Sequence, residues 1–134
     1  MKVNNIKLPK DLKYNKDHGW VRASGSNATI GITEIGLSLA REIVFIQLPD
    51  KGQQIKKGQD LTVLQSVKWS GHFSSPVSGE VTEINSLLFD EPSTLNEDPY
   101  GEGWVAKIRL DNPDELKELM SAKEAEEWAK KTVK

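Results

Sequence analysis

Hydrophobic and polar residues alternate in short runs along most of the chain, and glycine, proline or asparagine stands near most junctions. Residues 20–23 and 28–33 are two β-rich runs separated by Ser24-Gly25-Ser26-Asn27. Glycine and asparagine tolerate the positive φ of tight turns, so this pattern predicts a first β-hairpin. Residues 43–48 are a continuous β-branched and aromatic run that stops at a proline, which predicts a well-buried strand.

A second group of short apolar runs covers residues 61–67, 73–77 and 81–84, with a turn predicted at residues 68–71. Within the first of these runs, alternation places Thr62, Leu64 and Ser66 on one face, and Gln65 on the other with Leu61, Val63 and Val67. Residues 104–110 alternate again and predict a final strand with one apolar face. Short strands with this punctuation fit a compact sandwich or barrel better than a helix bundle.

Three other segments break the strand pattern. The period changes over residues 34–42, which predicts a short helix after the second strand. Residues 89–103 contain two prolines and two glycines, so we predict a long connecting loop, whose acidic residues are either a partner surface or ordinary solvated side chains.

Residues 112–132 have the pattern of a helical tail. Asn112 stands before a proline at the first helical position, with Glu115 three residues on in a capping-box-like arrangement. Ser121 with Glu124 repeats this signal, so we predict one or two short helices. Leu116, Leu119 and Met120 form an apolar stripe, which we expect to pack against the β body rather than to bind a partner.

Composition narrows the possible functions. A chain of 134 residues with 37% hydrophobic and 28% charged residues fits one globular domain, with a β body over about residues 12–111 and the tail over about 112–132. No apolar stretch approaches the roughly 20 residues that span a bilayer, and residues 1–16 lack a secretory signal pattern, so we expect a cytoplasmic protein without membrane contact. A net charge of −2 without a basic stripe argues against nucleic acid. The absence of cysteine and the presence of two histidines argue against a metal site.

Lys68 is the candidate functional residue. It follows the run 61–67, and Gly58 and Gly79 lie at nearly equal distances on either side. A hairpin tip here would hold one amine clear of the body as a covalent attachment point, whereas the alternative is a turn lysine that only keeps the tip soluble. The same exposure argues against an enzyme in its own right, since a lysine base needs burial to depress its pKa.

Several motifs in the same order resemble the H proteins of the glycine cleavage system, over about residues 12–131. They include Asp-His-Gly-Trp-Val (17–21), Ile-Gly-Ile-Thr (30–33), Ile-Val-Phe (43–45), Ser-Val-Lys (66–68), Ser-Pro-Val-Ser-Gly-Glu-Val (75–81) and Asn-Glu-Asp-Pro-Tyr-Gly-Glu-Gly-Trp (96–104). The resemblance implies a mainly β barrel-sandwich hybrid of the lipoyl/biotinyl type, with a short helix after the second strand and C-terminal helices. It also implies that Lys68 carries lipoate in amide linkage, with Gln65, Trp69 and His72 around it.

The implied function is a non-catalytic, monomeric carrier with a swinging lipoyl arm. Its partners would be a lipoate ligase or lipoyl-transfer enzymes, and then one of two sets of enzymes. In glycine cleavage these are glycine decarboxylase, aminomethyltransferase and dihydrolipoyl dehydrogenase, and the arm carries an aminomethyl group. In bacterial sulfur oxidation the partner is a heterodisulfide-reductase-like complex. A tether raises the local concentration of the arm at each site, and the reactive sulfurs belong to the cofactor.

The chain departs from the usual family pattern near Lys68. Family members commonly have Glu at the place of Gly19, and Glu and Ala at the places of Gln65 and Trp69, with an acidic residue soon afterwards where Gly71 and His72 stand. These departures slightly favour sulfur oxidation. Trp69 is then a docking surface for a ligase or partner, or a plate on which the arm packs.

Three readings stay open beside the carrier. The chain is a lipoate relay that hands the group to other proteins, an unmodified interaction module, or a biotin carrier; the last is disfavoured because Val67 and Trp69 replace the methionines that usually flank biotinyl-lysine. His72 is a solvated turn residue or a hydrogen-bonding neighbour of the arm, and His18 is structural or lines a cleft.

Overall fold

The computed structural model describes residues 2–3, 6–7, 9–15, 18–33, 37, 43–66 and 70–132. Within the helix predicted over residues 34–42, Leu37 is described, as helical and buried, and the rest of that prediction lies outside the described residues.

Antiparallel strands dominate the described chain. They are, in chain order, β1 (Lys2–Val3), β2 (Ile6–Lys7), β3 (Lys13–Tyr14), β4 (Gly19–Ser24), β5 (Asn27–Ile32), β6 (Ile43–Gln47), β7 (Gln54–Ile55), β8 (Asp60–Ser66), β9 (Ser70–Ser74), β10 (Gly79–Ile84) and β11 (Ala106–Leu110). One sheet has the order β3-β4-β5-β11-β10-β7 and a second has the order β6-β8-β9, while β1 pairs with β2 alone. The mainly β, two-sheet architecture predicted from the sequence is confirmed.

A shared hydrophobic core joins the two sheets. Ile30 and Ile108 of the larger sheet belong to the same buried cluster as Ile46, Leu64 and Phe73 of the smaller one. This arrangement follows from alternation, because each strand turns one face inward and the two inner faces meet.

Local turn chemistry explains the first hairpin. Strands β4 and β5 pair out to Ser24 and Asn27, and Gly25 between them has a φ of 62°, in the left-handed region. The predicted hairpin over residues 20–33 is therefore confirmed.

Strand β6 differs from its prediction. Ile43 and Ile46 are buried, but Val44 and Phe45 are exposed. The prediction of a well-buried strand is therefore wrong for two of these four side chains. The reason is non-local: β6 is an edge strand, and its register against β8 shifts between Ile43 and Phe45, which turns two consecutive residues outward.

The predicted loop over residues 89–103 is also corrected, because it includes most of two single-turn helices. They are α1 (Leu87–Asp90) and α2 (Thr94–Glu97), with Pro92 between them. Leu88 and Leu95 are fully buried, so tertiary packing holds turns that proline-rich sequence disfavours.

The tail forms a 3₁₀ helix (Pro113–Glu118) followed by α3 (Ala122–Thr132). The Asn112 side chain accepts a hydrogen bond from the Asp114 amide. Ser121 and Glu124 form the reciprocal capping box: the Ser121 amide donates to the Glu124 carboxylate at 3.0 Å, and the Glu124 amide donates to the Ser121 hydroxyl at 3.3 Å. The hydrogen bond from the Ser121 amide lowers the pKa of the Glu124 carboxyl. The cap at Asn112 and the capping box of Ser121 are thereby confirmed, whereas the expected box partner of Asn112, Glu115, bonds to Ser78 instead.

The apolar stripe of the tail packs on the β body as expected. Leu119 is buried in the main core and Leu116 packs against it, while Met120 packs against a second cluster built around Tyr14 and Trp20. The Tyr14 hydroxyl donates to the carbonyl of Pro9 at 2.6 Å, and burial raises the pKa of this phenol.

Candidate functional site

Strands β8 and β9 form the hairpin on which the candidate site lies. The last pair of their register is Gln65 and Ser70, and residues 67–69 connect the end of β8 to the start of β9. The predicted turn over residues 68–71 is corrected, because β9 already begins at Ser70 and Gly71 pairs with Leu64. Lys68 and Trp69 lie outside the described residues, so the structure describes the strands that flank them and not the predicted site itself.

Gln65 and His72 are the predicted surroundings of Lys68 that fall on described strands. Gln65 is exposed, whereas Thr62, Leu64 and Ser66 are buried. The two predicted faces are therefore distinct from Thr62 onwards, but the sequence did not predict which of them points outward. His72 belongs to β9 opposite Val63, and its side chain lies outside the described part of the molecule. The hairpin therefore presents Gln65 to solvent at its last pair, next to the connection that contains Lys68.

Hydrogen bonds fix the opposite end of the hairpin. The Ser75 amide donates to the Gln59 carbonyl and the Gly58 amide to the Ser75 carbonyl, both at 2.9 Å. The Thr62 hydroxyl donates to the carbonyl of Gln47 on β6. These contacts tie the strands to their neighbours, so the hairpin is a supported element rather than a free loop.

A second anchor comes from the C-terminal tail. The Glu115 carboxylate accepts hydrogen bonds from the Ser78 amide at 2.8 Å and from the Ser78 hydroxyl at 2.9 Å. Ser78 lies between β9 and β10, so one charged side chain of the tail holds the chain as it leaves the hairpin.

Gly19 lies directly against the hairpin. A Cβ atom at this position would be 2.8 Å from Cε1 of Phe73, whose ring is buried on β9. The room that a side chain at position 19 would need is therefore filled by an aromatic ring. The departure from the common Glu at this position matches the local packing.

His18 has a backbone role in the same region. Its φ of 66° lies in the left-handed region, and its carbonyl accepts a hydrogen bond from the Thr33 amide at 2.8 Å. Its ring centroid lies 5.4 Å from that of Trp128 on α3. This packing favours the structural interpretation of His18.

Sequence reasoning missed the exposed residues beside Gln65. Phe45 is the cross-strand partner of Gln65 and points into solvent, as Val44 does. No local signal marks this exposure, because an apolar run on an edge strand looks the same as one on a central strand until its register is known.

The acidic residues of the predicted loop differ in their contacts. The Asp98 carboxylate accepts a hydrogen bond from the Glu102 amide, and the Glu97 side chain is exposed.

The described residues contain no group of three or more His, Cys, Asp or Glu side chains placed to hold a metal ion. They also contain no helix of the length and apolar character needed to cross a membrane.

Comparison with known proteins agrees with this geometry. The family model described as "Glycine cleavage H-protein" matches residues 12–132. The glycine cleavage system H protein of Carboxydothermus hydrogenoformans is 42% identical over 119 residues, which cover 89% of this chain and 92% of the relative. The probable glycine cleavage system H protein of Aeropyrum pernix is 37% identical over 124 residues, which cover 92% and 87% respectively.

A solved structure supports the same assignment. The crystal structure of a glycine cleavage system H protein from Mycobacterium marinum superposes with a TM-score of 0.81 at 30% sequence identity, and covers 93% of this chain and 98% of that one. Sequence and fold thus agree over nearly the whole chain. This protein therefore belongs to the glycine cleavage H-protein family, whose members are carriers and not enzymes.

Proposed function

We propose that this protein is a lipoyl carrier of the glycine cleavage system and that Lys68 is its attachment residue. The observation that carries the proposal is the hairpin: β8 and β9 pair up to Gln65 and Ser70, and Lys68 lies in the short connection between these residues. The proposed carrier is a single cytoplasmic domain and a monomer. Burial of Leu119 in the core shared by both sheets supports the tail as part of that domain.

The residues present fit a covalently attached lipoate. Attachment needs a primary amine that an enzyme can reach, and exposed Gln65 at the last strand pair supports such access. When bound, lipoate would supply a disulfide whose S–S bond can open, so that one sulfur carries the transferred group and the other becomes a thiol. The chain itself contributes a fixed anchor, and it contains no cysteine that would compete in disulfide exchange.

The proposed partners follow from this role. They are a lipoate ligase or lipoyl-transfer enzyme, then the decarboxylase, the aminomethyltransferase and the dihydrolipoyl dehydrogenase of glycine cleavage. A tethered arm reaches each of these enzymes as an intramolecular group, so the carrier needs no tight docking to any of them.

Gly19 and Gln65 favour a second candidate, a carrier for a heterodisulfide-reductase-like complex in sulfur oxidation. The family commonly has acidic residues at both positions, whereas here one is occupied by glycine against Phe73 and the other by a neutral amide. A carrier without these carboxylates has a different electrostatic environment around its arm.

Reconstitution with purified enzymes separates the two candidates. The lipoylated protein is added to glycine decarboxylase, and exchange of labelled bicarbonate into glycine is measured, with Lys68→Arg as the matched control. The glycine cleavage proposal predicts exchange with the parent and none with the control. No exchange with a fully lipoylated parent, under conditions in which the Carboxydothermus hydrogenoformans H protein supports it, would reject glycine cleavage and favour the second candidate.

A further inference from the structure

Two consecutive apolar side chains point into solvent on strand β6. Val44 is 47% exposed and Phe45 is 52% exposed, although the flanking Ile43 and Ile46 are buried. Ile43 pairs with Ser66 and Phe45 with Gln65, so two residues of β6 face one residue of β8. Bulges of this kind occur often at sheet edges and beside functional sites, where they redirect side chains.

Helix α1 extends the exposed apolar surface. It lies against β6, and its Leu87 and Phe89 are 38% and 54% exposed. Together with Val44 and Phe45, they are the exposed large hydrophobic residues of the described chain, and we call these four the apolar patch. Exposed apolar residues gathered in one place mark interaction sites, whereas scattered ones do not.

The border of the apolar patch is acidic. Asp90 and Glu91 follow Phe89, and Glu97 lies on α2, which is joined to β6 by a 2.9 Å hydrogen bond from the Ile43 amide to the Asn96 side chain. Within the described residues these three carboxylates form no ion pair. This surface complements a partner whose apolar pocket is bordered by basic side chains.

Gln65 connects the apolar patch to the proposed attachment residue. Paired Cα atoms of neighbouring strands, such as those of Phe45 and Gln65, lie about 5 Å apart. Three peptide units, at most about 11 Å, separate Gln65 from Lys68. Before modification, the amine reaches no farther than a lysine side chain, so the enzyme that acylates it must cover the adjacent surface. The lipoylated lysine is a longer chain than the free lysine, so it reaches enzymes that dock farther from Lys68.

We infer that the apolar patch is the docking surface for the enzyme that attaches lipoate to Lys68. This inference rests on the proposed function. The carboxylate of lipoate first reacts with ATP to form an acyl-adenylate, and pyrophosphate leaves. In the attachment step, Lys68 Nζ forms an amide bond with the carboxyl carbon of this acyl-adenylate. AMP leaves, the amine releases one proton, and no atom changes its oxidation state.

Steady-state attachment by a lipoate ligase tests the inference, with the apo protein as the varied substrate and excess ATP and lipoate. Phe45→Ser is expected to raise the KM for the apo protein about tenfold and to leave kcat nearly unchanged, because truncation of a docking residue weakens encounter rather than chemistry. Phe45→Leu keeps an apolar side chain and is expected to stay within about threefold of the parent.

The charged border is tested by reversal of its sign. Asp90→Lys with Glu91→Lys is expected to raise the KM at low salt, and the difference is expected to shrink as ionic strength rises. Glu127→Lys changes an exposed acid on α3 and is the matched control, with no change in KM expected. Urea unfolding of each variant verifies its fold, and Phe89→Ser provides a second test of the apolar part.

Several results would overturn the inference. One is a KM within twofold of the parent value for both Phe45→Ser and Phe89→Ser. Another is a rise in KM for Glu127→Lys that equals the rise for Asp90→Lys with Glu91→Lys. Self-association of the parent that Phe45→Ser abolishes, with attachment unchanged, would assign the apolar patch to a second copy of the chain. Normal attachment with slower turnover of the loaded variant would assign it to a later enzyme. Failure of the proposed function looks different: the parent is not acylated, or Lys68→Arg is acylated equally well.

Discussion

Replacement of Gly19 by alanine tests how the hairpin rests on the larger sheet. A Cβ atom at Gly19 would lie 2.8 and 2.9 Å from two ring carbons of Phe73, which is 2% exposed. Carbon atoms in ordinary contact lie about 3.5–4.0 Å apart, so the ring must move by roughly 0.7 Å or more within a packed core. We expect Gly19→Ala to lower the free energy of unfolding by about 1–3 kcal/mol, the usual range for overpacking.

A double-mutant cycle with Phe73→Leu isolates this contact. The leucine leaves space for the new methyl group but removes buried carbon atoms, so alone it is expected to cost about 1–2 kcal/mol. The double variant should be more stable than the sum of both single effects by at least about 1 kcal/mol. Urea unfolding followed by far-UV circular dichroism measures all four proteins. Additive effects, or a Gly19→Ala variant within about 0.5 kcal/mol of the parent, would refute the packing argument.

Two further predictions concern the tail and the second core. Glu115→Ala should lower the free energy of unfolding by about 1.5–3 kcal/mol, because Ser78 loses two charge-assisted hydrogen bonds. In the same urea unfolding assay, Glu118→Ala removes an exposed ion pair with Lys57 and should change the free energy of unfolding by less than about 0.5 kcal/mol. Equal losses of stability in Glu115→Ala and Glu118→Ala would contradict the anchoring role of Glu115. Burial raises the pKa of the Tyr14 phenol, so the unfolded chain loses this proton first once the pH exceeds about 10. Unfolding measured from pH 9 to 11 should therefore show stability falling above pH 10 more steeply in the parent than in Tyr14→Phe, whereas parallel curves would contradict the shift.

The parts of the fold that sequence predicted correctly depend on neighbouring residues. The turn at Gly25 and the caps at Asn112 and Ser121 each use hydrogen bonds or backbone angles set within a few positions of the chain. Such features appear in the sequence because the chemistry that makes them is local.

The errors arise where distant segments decide the outcome. The exposure of Phe45 depends on its register against β8, and the single helical turns around Leu88 and Leu95 depend on burial against the sheets. The two-residue strands β3 and β7 carry no periodic signal, and they are strands because β4 and β10 lie beside them. Periodicity gives the type of an element but not its neighbours.

The same distinction applies to the candidate site. The hairpin strands followed from alternation, and the family follows from motifs spread over residues 12–132. The exposure of Gln65 did not follow, because alternation places Gln65 on the same face as Leu61 and Val63. The role of Lys68 stays a prediction. The acidic border and the apolar patch beside it became visible through the three-dimensional arrangement of β6, α1 and α2, because these segments are far apart in the chain.

The intact mass of the purified chain, after coexpression with a lipoate ligase and a supply of lipoate, tests the central claim most directly. The parent is predicted to gain the mass of one lipoyl group, and Lys68→Arg is predicted to gain none. The claim is contradicted if Lys68→Arg gains the same mass, or if the parent stays unmodified under conditions that fully load the H protein of Carboxydothermus hydrogenoformans.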